Sequence, residues 1–354
     1  MINRYISILR AEYMEKKMKK ILAILCLLQT LYGASICLYN PGLGPNKNRS
    51  WLPYFAKLLK EKGHSYVAQG IRLSRSEEKK YDVIIFWDSY PRNKKTFSKS
   101  IFVTLEPPLI QRIQNNNTFM KKFYKVFTWN HHYCNDRKYE KLFYPAYPGV
   151  GVWGFDIYQP STEIQFSKRD FSCMINSHLS SYITSDVFNG EQYSKRKNIA
   201  TYYNRYHPNQ FKLYGTKGWD KMKLKVYKGK TTDKSIILQN HKFCYCYENY
   251  YNHYHYISEK IIHCFICECV PIYLGCTNIT DYIPKETFID ASKFSSIDEI
   301  HRFLEAMDEG TWNKYIKAIR DFKKSEKFKL FIDQYFWDSI ANVVFEYLKE
   351  NNIE

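Results

Sequence analysis

The sequence predicts an α/β fold in which parallel β-sheets are covered by helices. Short, almost uninterrupted apolar runs such as 81–87 (YDVIIFW) and 101–105 (IFVTL) are typical of parallel strands that are buried on both faces. These runs alternate with stretches of helical periodicity, which indicates repeated β–α–β units. A stretch rich in glycine and proline at 144–162 interrupts the alternation, and a second series of strands and helices follows it.

This interruption divides the 354 residues into two predicted domains of ordinary size. We assign residues 1–35 to a leader, 36–160 to the first domain, and 161–354 to a second domain that includes the C-terminal helices. Hydrophobic residues make up 45% of the chain, which is enough to fill a core in each domain.

The first domain is predicted to begin with a strand that runs into a Pro-Gly loop. A helix is expected next, because Leu52, Phe55 and Leu59 fall on one face at helical spacing. The strand at 101–105 leads directly into Glu106 and two prolines, so a carboxylate follows the end of a buried strand. In order, we predict a strand at 36–39, a helix at 51–62, and strands at 81–87, 101–105 and 124–129.

The second domain restarts with another apolar run and contains a helix with many basic residues. Ser258 is a good N-cap for a further helix that lies between two strands. In order, we predict a strand at 171–176, a helix at 193–206, an FKLYG segment at 211–215, a strand at 242–247, the helix from Ser258, a strand at 270–275, and helices at about 297–309, 312–324 and 331–349.

The formal net charge is +18, from 53 Lys and Arg against 35 Asp and Glu. Such a charge suits an anionic partner, but the sequence has no zinc-finger spacing, no aromatic RNA-recognition motif and no heptads next to a basic region. We therefore expect a basic surface or an anionic substrate and no nucleic acid. The 32 Tyr residues suit both cores and sugar-binding surfaces and do not decide between them.

Six of the ten cysteines fall between Cys244 and Cys276, on segments predicted to be buried. Their number and placement do not resemble a small disulfide-rich scaffold. Cys244 and Cys246 share a strand face, and Cys264 and Cys267 share a helix face, which raises zinc as an alternative. Clean paired knuckles are absent, so we expect small apolar side chains and no metal site.

The N-terminus resembles an export signal. Residues 16–20 (KKMKK) precede an apolar run at 21–33 and the small residues Ala34 and Ser35. The run is shorter than the about 20 residues of a spanning helix. We expect a signal peptide or signal anchor, a secretory or membrane-associated location, and contact with a membrane surface through this segment. A leader without function would instead leave the protein in the cytoplasm.

The sequence Ser258-Glu259-Lys260 places charged residues in the first turn of a helix. A helix N-terminus attracts phosphate through its free N–H groups and its dipole, and Lys260 adds a positive charge there. Plain capping with a solvated lysine is the alternative interpretation of this segment alone.

Several motifs in fixed order make the interpretation more specific. They are Lys242-Phe243 with Glu248-Asn249, then YISEKI at 256–261, VPIYLG at 270–275, YIP at 282–284 and FID at 288–290. This series resembles the donor-binding signature of the α1,3/α1,4-fucosyltransferases, glycosyltransferase family 10. The resemblance covers about 80–305 and includes YSKR at 193–196, LYG at 213–215 and FVTLEP at 102–107.

The resemblance implies a GT-B architecture, in which two Rossmann-like domains face a cleft. The first domain is then expected to bind a glycan acceptor and the second to bind GDP-fucose. Glu106 matches the family's catalytic base, and Glu259 matches a carboxylate near the sugar and ribose that favours positive charge at the anomeric carbon.

The donor-binding residues implied by the same motifs are Arg196, Asn249, Tyr256, Glu259 and Lys260. Arg196 and Lys260 match the pair that contacts the diphosphate, although Lys195, Lys197 and Arg205 leave the register of the arginine open. Glu248, which precedes Asn249, is expected to support the donor-binding residues without contacting the donor itself. The loop between Asn249 and Tyr256 has six residues and contains His253 and His255, which indicate a metal only weakly.

The resemblance thus implies an inverting α-(1,3)-fucosyltransferase, a hexosyltransferase that moves L-fucose from GDP-fucose to an N-acetylglucosamine-containing glycan in α1,3 or α1,4 linkage. No cofactor is expected, because the sequence contains no D-x-D and basic side chains can neutralise the diphosphate. A non-catalytic glycan- or nucleotide-binding relative, or a GT-B enzyme for another nucleotide sugar, remains the alternative.

Overall fold

The computed structural model describes residues 33–41, 52–107, 110, 116–130, 133, 136–146, 164–178, 190–216, 218–231, 233–251 and 255–353. Residues 1–32 of the predicted leader lie outside these ranges, so the leader stays a prediction. Within the described ranges, no helix has both the length and the apolar character needed to cross a membrane.

The first domain contains one parallel sheet of six strands. Its elements are β1 (Ser35–Tyr39), α1 (Leu52–Glu61), β2 (Ser65–Gln69), β3 (Val83–Trp87), β4 (Ser100–Thr104), α2 (Asn117–Met120), β5 (Lys125–Thr128) and β6 (Tyr139–Lys141). The strand order is β2-β1-β3-β4-β5-β6, and every pair is parallel. The predicted strands are present, and only the two edge strands were missed. β2 alternates between exposed and half-buried residues and has no continuous apolar run.

The central strands of this sheet are buried on both faces, as the apolar runs predict. Along β3, Val83, Ile85 and Trp87 pack into one cluster, whereas Ile84 and Phe86 pack into another on the opposite face. Successive side chains of a strand point to opposite faces, so two layers must cover the sheet. Polar groups at the strand ends are therefore the ones that can face a ligand.

The second domain contains a parallel sheet of five strands. Its elements are β7 (Asp170–Ile175), α3 (Tyr193–Tyr206), β8 (Phe211–Tyr214), α4 (Lys234–Gln239), β9 (His241–Tyr247), α5 (Glu259–Ile266), β10 (Val270–Leu274), β11 (Ile289–Asp290), α6 (Ile297–Glu305), α7 (Glu309–Lys323), α8 (Glu326–Lys329) and α9 (Asp333–Glu350). The strand order is β11-β10-β9-β7-β8, again wholly parallel. In such sheets, ligands bind beyond the carboxyl ends of the strands, near the point where the strand order reverses.

The last helix, α9, returns to the first domain. Its Phe336 and Trp337 are buried in the cluster that covers the first sheet, with ring centroids of Trp337 and Phe55 4.7 Å apart. Tyr54 also donates a hydrogen bond of 2.7 Å to Asp338. The division at residue 160 places this helix in the second domain by sequence, whereas its apolar face is buried against the first sheet.

Candidate active site

The strand β9 ends in a buried carboxylate, Glu248, which is 0% exposed. Its oxygens accept hydrogen bonds from the Ser258 backbone N–H (2.8 Å) and the Ser258 hydroxyl (2.7 Å). Gly275 at the end of β10 makes room for it, because a Cβ there would lie 2.4 Å from Cγ of Glu248. Glu248 therefore connects the end of β9 to the start of α5.

The first turn of α5 carries Glu259 and Lys260 next to this buried carboxylate. Ser258 is the N-cap residue, with extended backbone and its side chain accepting from the Lys260 backbone N–H. The Lys260 ammonium donates to the Ser258 hydroxyl (2.9 Å) and lies 3.4 Å from the Glu248 carboxylate. Lys260 is thus held at the helix N-terminus, where a phosphate group would be attracted by both the dipole and the ammonium.

The structure places Arg196 inside the site and its rivals outside. Arg196 is 2% exposed, whereas Lys195, Lys197 and Arg205 on the same helix are exposed. Its guanidinium donates to the Tyr247 carbonyl and, at 3.0 Å, to Oδ1 of Asn249. Its buried Nε has no hydrogen-bond partner among the described residues.

Asn249 connects the two domains. Its Oδ1 accepts from Arg196, and its side chain also forms a hydrogen bond that lowers the pKa of Glu106. Because the amide oxygen is taken by the guanidinium, the amide nitrogen is the donor to Glu106. A ring contact lies beside this link: the rings of Trp129 and Tyr256 are 5.1 Å apart and come from different domains.

The charges of the two domains meet around Glu106, which follows β4. Burial raises the pKa of Glu106 above its ordinary value, Lys260 lowers it, and the carboxylates Glu259 and Glu248 raise it again. The net direction is upward. A carboxyl group with a raised pKa suits proton abstraction near neutral pH.

Glu259 and Lys260 keep their charges despite burial. Burial alone would raise the pKa of Glu259, but Lys260 and Lys234 bring it well below its usual range. Burial would lower the pKa of Lys260, but Glu259 and Glu248 raise it above its ordinary value. At neutral pH the site therefore presents an ionised carboxylate and an ammonium side by side.

Lys234 and His263 are neighbours of Glu259 that the sequence analysis missed. The Lys234 ammonium lies 3.5 Å from a Glu259 oxygen and 3.4 Å from Nδ1 of His263. Burial, followed by Lys234, lowers the pKa of His263 to about 3, so this ring is neutral. The signal available for Lys234 is only its place after the N-cap Asp233 of a short helix, α4.

Asp88 is a second carboxylate at a strand end that the sequence analysis missed. It follows β3, the strand beside β4, and has a left-handed backbone with φ of 47°. Burial and the nearby Glu106 raise the pKa of Asp88 to about 8. Glu106 therefore has a largely protonated carboxyl group as its neighbour at neutral pH.

The remaining predicted residue, Tyr256, is buried against Trp129, and its hydroxyl pKa is raised by burial and then by Glu106. His253 lies outside the described residues. His255 has φ of 67° and its ring contacts the Tyr282 hydroxyl. The structure thus brings Glu106, Arg196, Asn249, Glu259 and Lys260 into one cluster, with Tyr256 packed at its edge.

Comparison with known proteins agrees with this geometry. A model of the glycosyltransferase family 10 (fucosyltransferase) C-terminal domain matches residues 174–341. The 4-galactosyl-N-acetylglucosaminide 3-alpha-L-fucosyltransferase 9 of Bos taurus is 30% identical over 124 residues, which are 34% of this chain and 33% of the relative. The matched segment therefore spans about a third of that relative's length.

Solved structures extend the likeness to both domains. An alpha1,3-fucosyltransferase has a TM-score of 0.53 at 14% identity, covering 88% of this chain and 90% of its own. An alpha1,3-fucosyltransferase with GDP-fucose has a TM-score of 0.50 at 14% identity, covering 83% and 91%. At these identities the likeness shows the fold, and the predicted GT-B arrangement is confirmed. The family prediction is confirmed as well: residues 174–341 of this chain match the model of glycosyltransferase family 10, the fucosyltransferases.

Proposed function

We propose that this protein is an inverting fucosyltransferase that moves L-fucose from GDP-fucose to a hydroxyl group of an N-acetylglucosamine-containing glycan. The observation that carries the proposal is the cluster across the domain boundary, in which Glu106 of the first domain meets Lys260 and Asn249 of the second. A base on one side and cations on the other are what a single displacement requires.

In the proposed reaction, Glu106 accepts the proton of the acceptor hydroxyl group as its oxygen bonds to the anomeric carbon. The bond from that carbon to the diphosphate breaks in the same step, and GDP leaves with the electron pair. Arg196 and Lys260 neutralise the diphosphate, the first through a planar fork of N–H donors and the second as a point charge. The ionised Glu259 favours positive charge at the anomeric carbon.

The same cations support the proposal that no divalent cation serves the diphosphate. Lys234 adds a third positive charge beside Glu259. Addition of Mg²⁺ or Mn²⁺ to the assay should therefore leave the transfer rate unchanged. A requirement for added Mg²⁺ or Mn²⁺ would contradict this part of the proposal.

A donor screen tests the function directly. The purified chain is incubated with GDP-fucose, GDP-mannose or UDP-sugars and an array of glycans, and product mass and linkage are measured. We expect transfer from GDP-fucose alone, and the array identifies the acceptor and the choice between α1,3 and α1,4 linkage. Binding of GDP without transfer to any acceptor would favour a non-catalytic relative, and transfer from a UDP-sugar would overturn the donor assignment.

We expect Arg196→Lys to weaken GDP binding by about tenfold, which corresponds to about 1.4 kcal/mol. Lysine keeps the charge but lacks the planar fork of donors, whose fixed directions let one guanidinium bond the Tyr247 carbonyl and Asn249 and still face a phosphate. Isothermal titration with GDP measures the change. Arg205→Lys on the exposed face of α3 is the matched control and should bind GDP as the parent does.

We expect Asn249→Asp to shift the acid limb of the kcat/KM profile to higher pH by about one unit or more. The substitution replaces the amide donor to Glu106 with a carboxylate, which removes a hydrogen bond that lowers the pKa of Glu106 and adds a like charge. The base then takes up its proton at higher pH. An unshifted acid limb would show that Asn249 does not act on the catalytic base.

A further inference from the structure

A cluster of buried thiols lies behind the candidate active site. Cys244 and Cys246 of β9 meet Cys264 of α5, and the three Sγ atoms lie within 4.8 Å of one another. The Sγ atoms of Cys246 and Cys264 are 3.2 Å apart. All three side chains are buried, and the proposed transfer reaction uses none of them.

Two more thiols border this group. Cys173 of β7 pairs in register with Cys244 on the adjacent strand, so their side chains lie on the same face of the sheet. After α5 the chain turns through Glu268, with φ of 51°, and the Cys269 N–H donates to the Cys264 carbonyl at 2.9 Å. This turn brings the Cys269 thiol into contact with both Cys173 and Cys264.

We propose that Cys244, Cys246 and Cys264 bind a thiophilic divalent cation, Zn²⁺ in the first instance, with a fourth thiolate from Cys269 or Cys173. A Zn–S bond of about 2.3 Å places tetrahedral thiolates about 3.8 Å apart. The Sγ atoms of Cys246 and Cys264 are 3.2 Å apart, and no pair among the three thiols is separated by more than 4.8 Å, so their spacing is close to that value.

The surroundings suit a soft cation held by thiolates. Sulfur ligands select Zn²⁺ over Mg²⁺ or Ca²⁺, which prefer oxygen. Each thiol that binds loses its proton to solvent, and the guanidinium of Arg169, which interacts electrostatically with Cys269 and Cys267, offsets part of the resulting negative charge.

The ion would connect two elements of the candidate active site. Cys246 precedes Glu248 and Asn249 on β9, whereas Cys264 lies on the helix that begins with Glu259 and Lys260. The Cys246 thiol also lies 3.8 Å from the Lys260 carbonyl oxygen. Buried thiolates fill the ligand positions of the cation, so its role is structural: it fixes the positions of β9 and α5 relative to each other.

Metal content of the full-length protein tests the site. Protein purified under reducing conditions without chelator should hold about one zinc per chain by elemental analysis. After metal removal, Co²⁺ should restore the intense visible bands of tetrahedral cobalt–thiolate, and Zn²⁺ should raise the thermal unfolding midpoint. The Cys246→Ser variant should lose most of the bound metal. Cys276 is a buried cysteine of the same domain outside the cluster, so the Cys276→Ser variant should keep the metal.

Three outcomes would overturn the proposal. The first is a reduced, folded parent protein with neither zinc nor cobalt–thiolate bands, a measurement that does not depend on any variant. The second is equal metal loss in the Cys246→Ser and Cys276→Ser variants. The third is a Cys246–Cys264 disulfide in the native protein, found by peptide mapping without reductant, since a disulfide removes both thiolates. Each of these results is independent of the donor screen.

Discussion

Glu106→Gln should lower kcat for fucose transfer by a factor of about 10²–10⁴, the usual contribution of a general base, and leave GDP affinity unchanged. The amide is nearly isosteric with the carboxylate but cannot accept the acceptor's proton. In the proposed function GDP binds to the second domain, where Arg196 and Lys260 lie on α3 and α5. Steady-state kinetics with GDP-fucose and calorimetric titration with GDP separate the two effects.

Two further variants make this result specific. Glu106→Asp keeps the carboxylate on a side chain one methylene shorter and should recover part of the lost rate. Glu140→Gln removes another carboxylate of the same domain, half-exposed and 3.2 Å from Lys125, and should transfer fucose as the parent does. Full activity in Glu106→Gln would refute the assignment of the base.

The raised pKa of Glu106 adds a dependence on pH. The ionised form of Glu106 is the base, so kcat/KM should fall as the pH decreases. The midpoint of this fall should lie above 4.5, the ordinary pKa of the group, and Glu106→Gln should abolish this acid limb of the profile. A carboxyl group whose pKa is raised by folding binds its proton more tightly when folded, so its ionisation costs stability at higher pH. Replacement by Gln removes that cost, and the thermal unfolding midpoint should not fall.

Much of the fold and the site follows from local sequence. The apolar runs predict the central strands because burial on both faces leaves no polar positions, and the residues after those runs, Glu106 and Glu248, lie at strand ends where parallel sheets bind ligands. The N-cap Ser258 likewise fixes where Lys260 lies. The register of Arg196 could not be fixed by charge, because Lys195 and Lys197 are equally basic. The structure adds that Arg196 is on the buried face of its helix, whereas Lys195 and Lys197 are exposed.

The features that the sequence analysis missed depend on tertiary contacts. Lys234 is part of the site because it contacts Glu259, which lies 25 positions later in the chain. Asp88 is part of it because it interacts electrostatically with Glu106, which follows the neighbouring strand. The helix α9 has an ordinary amphipathic pattern that does not say which sheet it covers. The spacing of the cysteines indicates which of them share a face of one strand or one helix. It does not indicate that Cys246 contacts Cys264, because that contact depends on the packing of β9 against α5.

We expect Lys260→Ala to weaken GDP binding by a factor of about 10–100, because a charge-assisted hydrogen bond contributes about 1.5–3 kcal/mol. The variant also removes the cation 3.4 Å from the buried Glu248. That carboxylate keeps two hydrogen bonds from Ser258, but it loses its counter-charge, so the protein should unfold at lower temperature. Lys329→Ala, which removes a half-exposed lysine paired with Glu326 at 2.7 Å, should change neither quantity.

The double variant Lys260→Ala/Glu248→Gln separates the two consequences. Neutralising Glu248 removes the uncompensated buried charge, so part of the lost stability should return, while the phosphate contact stays absent and GDP affinity stays low. A double-mutant cycle measured by denaturant unfolding and by GDP titration gives a coupling energy for each property. Recovery of GDP affinity together with stability would mean that Lys260 only keeps α5 in place, and the diphosphate contact would then have to come from Arg196 and Lys234.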